Sequence, residues 1–278
     1  MFDPAITGLD FTMRLYMRFR SWITPIGIGV TSIGFKMHCD TRDFIQRRVF
    51  YFNIYEPNLT YYILSRVRSG DHVVDVGANV GYMTLLLSSI VGEIGKVVAI
   101  EASPSTFSLL SRNLELNNTQ NVTALNIAAT SGPCLVDVVA GEKRNSGSNS
   151  IRQASSGATT SVEGDALSNI EEIRHDRVTF IKIDVEGSEA PVLQNIIESI
   201  KNYPALKSIA AEITSGSAHL IPLLIANGFR AYALPNNYRI GYLFVRKYLR
   251  QSREHEFFIK LPAREYDPQF TDYVFELP

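Results

Sequence analysis

The sequence predicts an α/β protein: a doubly wound, mostly parallel seven-stranded sheet with helices on both faces and an N-terminal extension. Three observations predict it. From residue 72 onward, short β-rich apolar runs alternate with segments of helical period. The first of these runs ends in a glycine turn that leads straight into a helix. The 278 residues, 45% hydrophobic and 20% charged, have the composition of a globular chain long enough to bury a full core.

Each element follows from local pattern. Residues 72–77 (HVVDVG) read as the first strand, 81–91 (GYMTLLLSSIV) as a helix and 96–101 (KVVAIE) as the second strand. Residues 104–117 place Phe107, Leu110, Leu114 and Asn117 at helical spacing, with Ser103 as N-cap before Pro104. A third strand over 122–128 completes a β-α-β-α-β run, which requires a parallel sheet with right-handed crossovers. After a strand at 134–140, residues 141–164 are rich in Ser, Gly, Thr and Asn and read as a long functional or flexible loop. The alternation resumes with a buried strand at 178–185, a helix from Ser188 to about residue 201, a strand at 208–213 and a helix ending near Gly228. Late strands are expected at 229–234, 257–261 and 273–277. Residues 1–50 are set apart as the extension and 51–278 as the main domain.

Composition excludes several classes. No period of 20 to 50 residues repeats, which removes solenoids and propellers. A net charge of −1 argues against a protein built chiefly to grip nucleic acid or an anionic membrane, although a local basic patch can hide in a neutral total. Cys39 and Cys134 lack metal-ligand spacing and read as structural thiols of a reducing compartment. The start shows no signal peptide and residues 22–35 are too short to cross a bilayer, so the expected location is cytoplasmic, with no transmembrane segment.

Ligands of an open parallel sheet bind beyond the carboxyl ends of its strands, so the chemistry is sought there. The first strand ends Asp75-Val-Gly77-Ala-Asn79-Val-Gly81. Glycines 77 and 81 let backbone approach a ligand, while Asp75 would repel a diphosphate and suit a cation. Glu101 ends the second strand and can accept both hydroxyls of a ribose. Ala128 and its small neighbours at the end of the third strand could lie along an adenine ring. On the fourth strand, alternation puts Lys182, Asp184 and Glu186 on one side, and Glu212 at the end of the fifth would point into the same mouth. Acids gathered this closely need a cation, a metal or a proton.

Residues 73–85 (VVDVGANVGYMTL), Tyr55-Glu56-Pro57, 97–117 (VVAIEASPSTFSLLSRNLELN) and 180–193 (FIKIDVEGSEAPVL) together resemble the FkbM family. That resemblance implies a Rossmann-like class I methyltransferase fold with an antiparallel seventh strand. It further implies S-adenosylmethionine as cofactor and O-methylation of hydroxyls on sugars, glycoconjugates or polyketide-type products. It carries Asp75, Gly77, Asn79 and Gly81 into the cofactor loop, Glu101 onto the ribose, Asp184 to the sulfonium end and Glu56 to a cap over the cofactor. Residues 1–50 match no family motif and are left to acceptor specificity or assembly into a homo-oligomer.

An alcohol needs help to lose its proton. Asp184, Glu186 and Glu212 are the candidate bases, or Asp184 and Glu212 together hold Mg2+ through oxygen ligands; His219, just after the fifth strand, is a further candidate base. The loop 145–150 (NSGSNS) could equally fold over a sugar-like acceptor or form an exposed flexible linker, and Arg246, Lys247, Arg250 and Arg253 mark an amphipathic basic segment. The alternatives are an NAD-dependent oxidoreductase, disfavoured by the absent middle glycine, and a cofactor-binding module without turnover. A nucleic-acid methyltransferase is disfavoured because Asp184-Val-Glu-Gly lacks the Pro-Pro-aromatic run, leaving a small-molecule or glycosidic hydroxyl acceptor and no nucleic acid as the expected partners.

Overall fold

In the β-rich runs, successive side chains feed two cores on opposite faces of one sheet. A computed structural model describes residues 4–139, 145, 150–153, 160–235 and 260–278. It begins with α1 (Pro4–Ile23), the antiparallel pair β1 (Ile26–Val30) and β2 (Lys36–Asp40), α2 (Phe44–Phe52) and α3 (Pro57–Arg66). The alternating region then supplies β3 (His72–Val76), α4 (Tyr82–Val91), β4 (Lys96–Ile100), α5 (Pro104–Leu116) and β5 (Val122–Leu125). Four short strands follow: β6 (Ala128–Ala129), β7 (Cys134–Val139), β8 (Ser150–Gln153) and β9 (Ser161–Asp165). The chain continues through β10 (Val178–Ile183), α6 (Glu189–Glu198), β11 (Ser208–Glu212), α7 (Leu220–Ala226), β12 (Arg230–Leu234), β13 (Leu261–Ala263) and β14 (Asp272–Glu276).

The main sheet runs β13-β12-β14-β11-β10-β3-β4-β5. Strands β5, β4, β3, β10 and β11 pair in parallel, and β14 is inserted antiparallel between β11 and β12. This is the Rossmann-like arrangement with the last strand of the chain inserted antiparallel. Val73, Val97 and Phe180 face one core with α3 and α4, while Val74, Val98 and Ile181 face the other with α6 and α7. Each fully buried aliphatic side chain of this kind contributes roughly 1.5–3 kcal/mol. The caps match their sequence signals: the Ser103 side chain accepts from the Thr106 N–H, and Asp43 accepts from Ile45 and Gln46 to start α2.

Four expectations change. The sheet has eight strands rather than seven, because Leu261–Ala263 pairs onto the β12 edge; of the strand expected at 257–261, residues 257–259 lie outside the described residues. The third strand breaks after Leu125, where the Asn126 side chain donates to the carbonyls of Glu101 and Ala102. The polar stretch 141–164 is not simply a loop: β8 and β9 join β6 and β7 in a second, four-stranded sheet around Ala128, Val136 and Val162. Finally, the division expected after residue 50 falls inside α2, and Met17, Met37 and Val49 pack into the same core as Val73.

Candidate active site

At the carboxyl ends of β3, β4, β10 and β11 the helices turn away from the sheet and leave a cavity of about 270 Å3. Its floor is the turn after β3. Gly77 has φ +76, and a Cβ there would sit 1.7 Å from the Asp184 carbonyl oxygen, so the turn and the end of β10 touch backbone to backbone. Asn79, at φ +50, folds its side chain back to accept the Val80 N–H at 2.7 Å. Its own N–H donates to Glu101 Oε2 at 2.8 Å, and the Ser103 N–H donates to Glu101 Oε1 at 2.9 Å.

Glu101 is therefore a buried, preoriented acceptor. Burial raises its carboxyl pKa, and the two backbone donors work against that rise. Each oxygen makes one of its two acceptor bonds to backbone, leaving a lone pair on each for a ligand in the cavity. Beside it Ala102, Ile127 and Ala128 form an apolar wall at the ends of β4 and β5. A slot with a bidentate acceptor next to small apolar side chains fits a nucleoside.

The far end of the cavity is acidic. Glu56, Asp184, Glu186 and Glu212 all line it. Burial, followed by the charges of Asp184 and Glu186, pushes the Glu212 carboxyl up to about 8. Glu186, at the rim with φ +41, is pushed up to about 7 by desolvation and then by Asp184 and Glu189. Glu56 is 6% exposed and caps α3 from a left-handed conformation, φ +41. This end fits a cationic ligand group, whose charge would offset the mutual repulsion of the carboxylates.

One cation of the protein itself sits below these acids. Lys182 Nζ lies 3.2 Å from Asp184 Oδ2 and 3.5 Å from Asp75 Oδ1, and donates to the Gly77 carbonyl at 3.1 Å. Burial opposes its charge, yet Asp184, Asp75 and Glu56 together outweigh burial and hold the ammonium above the usual lysine pKa. The sequence placed Lys182 on the correct side of its strand but assigned it no role; its register opposite Asp75 is what reveals one.

Several predicted site residues move. Asp75, expected in the cofactor loop, lies beneath it: fully buried, it accepts from Thr84 Oγ1 at 2.6 Å and faces Lys182, and it is absent from the cavity wall. Strand alternation turns its side chain onto the α4 face, where it meets Thr84 and Lys182. Gly81 also leaves the wall; it starts α4 at φ +95, and a Cβ there would meet Leu110 Cδ1 at 2.6 Å, so it serves helix packing. His219 is exposed at the start of α7 and does not reach the cavity, which removes it as a base. Gly77, Asn79, Glu101, Ala128, Asp184, Glu186, Glu212 and Glu56 do converge. Although Asp184 and Glu212 share the cavity, among the described residues no three His, Cys, Asp or Glu are grouped to hold a metal ion.

Non-local contributions complete the wall. Phe44 and Ile45 of α2, Tyr55 before α3, Ile151 of β8 and Asp272 of β14 enter from elements without recognisable motif. Asn145, the first residue of the 145–150 loop, lines the cavity, whereas residues 146–149 lie outside the described residues. So do Arg246, Lys247, Arg250 and Arg253 of the expected basic segment.

The fold and the cavity define an α/β enzyme with a nucleoside cofactor. Residues 75–230 match the family model described as the methyltransferase FkbM domain, and the chain belongs to this family. Its cofactor is S-adenosylmethionine. A curated relative, methyltransferase sdnD of Sordaria araneosa, is 24% identical over 182 residues, covering 54% of this chain and 69% of its own. Among solved structures, a SAM-dependent O-methyltransferase from Thermotoga maritima aligns over 91% of this chain and 78% of its own, with 17% identity and a TM-score of 0.45. Aeropyrum pernix fibrillarin, solved with natively bound S-adenosyl-L-methionine, aligns over 76% of this chain and 68% of its own, with 11% identity and a TM-score of 0.40. No helix among the described residues is long and apolar enough to cross a membrane.

Proposed function

We propose that this methyltransferase acts on oxygen, transferring the methyl group to a hydroxyl of a sugar, glycoconjugate or polyketide-type natural product in the cytoplasm. The observation that carries this reading is Glu212: a carboxyl pushed up to about 8 in the same cavity as the nucleoside acceptor Glu101. S-adenosylmethionine supplies a methyl group already activated on a positive sulfonium. The protein then has to align an acceptor oxygen and receive its proton.

In this reading Glu101 accepts the ribose hydroxyls, Ala128 packs against the adenine, and Glu56 and Asp184 face the cationic end. Lys182 restrains Asp184 from behind. Glu212 takes the acceptor proton; its raised pKa makes it a stronger base than an ordinary carboxylate, close to the working pH. Glu186, more exposed, would hold an acceptor hydroxyl at the rim. Asn145, from the second sheet, offers an amide suited to a polyol.

The test is transfer of labelled methyl from S-adenosylmethionine into cell extract, followed by mass spectrometry of the labelled product. Label on oxygen that disappears with Glu212→Gln supports the reading. Label on nitrogen or carbon, or full turnover by Glu212→Gln, defeats it. Chelators are expected to leave transfer unchanged.

A further inference from the structure

The outer face of α1 and β1 is apolar and aromatic, and its large side chains stand exposed among the described residues. Leu15, Phe19, Trp22 and Ile23 of α1 are 62%, 59%, 82% and 50% exposed, and Ile26 and Ile28 of β1 continue the surface at 69% and 51%. Their positions repeat at three and four residues, so they form one stripe along the helix. The opposite side anchors the helix to the protein. Met17 is buried in the main core, and the Ser21 hydroxyl, 2.7 Å from the Met17 carbonyl, also reaches the Thr41 carbonyl at 3.0 Å. The exposed stripe is therefore not a core face awaiting its fold.

Charge identifies what covers it. Between residues 11 and 39 the sequence carries Arg14, Arg18, Arg20 and Lys36 and no Asp or Glu. On a helical projection Arg18 and Arg20 fall on either edge of the stripe. A 20-residue helix with three arginines does not span a bilayer, and none of the described helices is apolar enough to do so. Aromatic residues flanked by arginines are instead the pattern of a helix lying in the headgroup plane. A two-fold contact with a second copy would bring the basic stretch from Arg14 to Lys36 against itself, which like-charge repulsion opposes.

We propose that the α1–β1 face docks this protein peripherally on an anionic phospholipid bilayer, with Trp22 and Phe19 inserted and Arg18 on the headgroups. The module that carries this face also supplies Phe44 and Ile45 of α2 to the cavity wall, so docking and the active site share a support.

Trp22 is the only tryptophan, so its fluorescence reports this face alone. The full chain is mixed with vesicles of phosphatidylcholine, or of phosphatidylcholine with about a third phosphatidylserine. The expected result is a blue shift, quenching by bromine-labelled lipid chains, and co-sedimentation at least about tenfold stronger on the anionic vesicles, weakening with salt. Arg18→Glu, and separately Phe19→Ser, should each lower partition about tenfold without lowering the melting temperature, because both side chains are exposed. Absence of binding to anionic vesicles at low salt overturns the proposal, as does undiminished binding by both variants. A lipid-free blue shift that grows with protein concentration, alongside a dimer in sedimentation, also overturns it and assigns the face to a second copy.

Discussion

Lys182 Nζ stands 3.2 Å from Asp184 Oδ2, two residues along the same chain direction, and this pair joins the sheet interior to the mouth of the active site. The same ammonium faces Asp75, whose side chain is completely buried. The chain thus holds one buried cation between a structural acid and a functional one.

Removing that cation should damage stability more than any rim change. Lys182→Met leaves the Asp75 carboxylate buried with only Thr84 as donor, and breaking such a pair costs about 3–5 kcal/mol. Urea denaturation should show this loss. In Lys182→Met with Asp75→Asn the loss should shrink by more than half, because the stranded charge is gone. Equal losses in single and double variants would refute the pairing.

Glu101→Gln tests the nucleoside site. The amide must turn an NH2 toward the N–H of Asn79 or of Ser103, and it loses the charge that a ribose hydroxyl donates to. Affinity for S-adenosylmethionine by calorimetry should fall about 10- to 100-fold. A change of less than about threefold would remove Glu101 from the site.

Glu212 links pH to both stability and turnover. Its folded carboxyl is pushed up to about 8 from the ordinary glutamate value near 4.5, so between those values the folded protein binds the extra proton. That stabilising contribution is complete below the lower value and is lost as pH rises through the upper one. The wild type should therefore melt at lower temperature at pH 9 than at pH 6, and Glu212→Gln should remove part of that drop, on the order of 2 kcal/mol. Turnover needs the ionised form and should rise along a limb near or below the folded value, because a bound sulfonium favours the carboxylate. In Glu212→Gln that limb should vanish and kcat fall at least about 100-fold.

Two glycines separate crowding from backbone conformation. Gly77→Ala places a methyl group 1.7 Å from the Asp184 carbonyl and should cost more than about 4 kcal/mol, abolishing the turn. Gly187, at φ +83 with nothing within 4 Å of a Cβ, should lose only about 1 kcal/mol on the same change. Thermal melts of the two variants give the comparison directly.

Much of the fold was legible because its signals are local. The strand at β3, the glycine turn, the Ser103 cap and the buried run at β10 each lie within a few consecutive residues. The acids of the cavity were legible for the same reason, since Glu101, Asp184 and Glu212 stand at strand ends. Asp75 and His219 were misplaced by reasoning from proximity in sequence. Alternation turned the first into the α4 face, and the second starts a helix that packs on the other side of the sheet. Of the second sheet only the strand at 134–140 was legible, because a strand as polar as Ser161–Asp165 is held by its pairing with Cys134–Val139.

By itself, then, the sequence determined a parallel α/β sheet, a nucleoside-binding turn and the family, because each is written in short stretches whose geometry is set by backbone and alternation. Only the tertiary structure decided which carboxylates share the cavity, and so which of them have a raised pKa. It alone brought Phe44, Ile151 and Asp272 to one wall. It also left the arm's apolar stripe outside the core, while Met17 on the same helix went in. Burial and charge proximity depend on neighbours distant in the chain, and no local pattern records them.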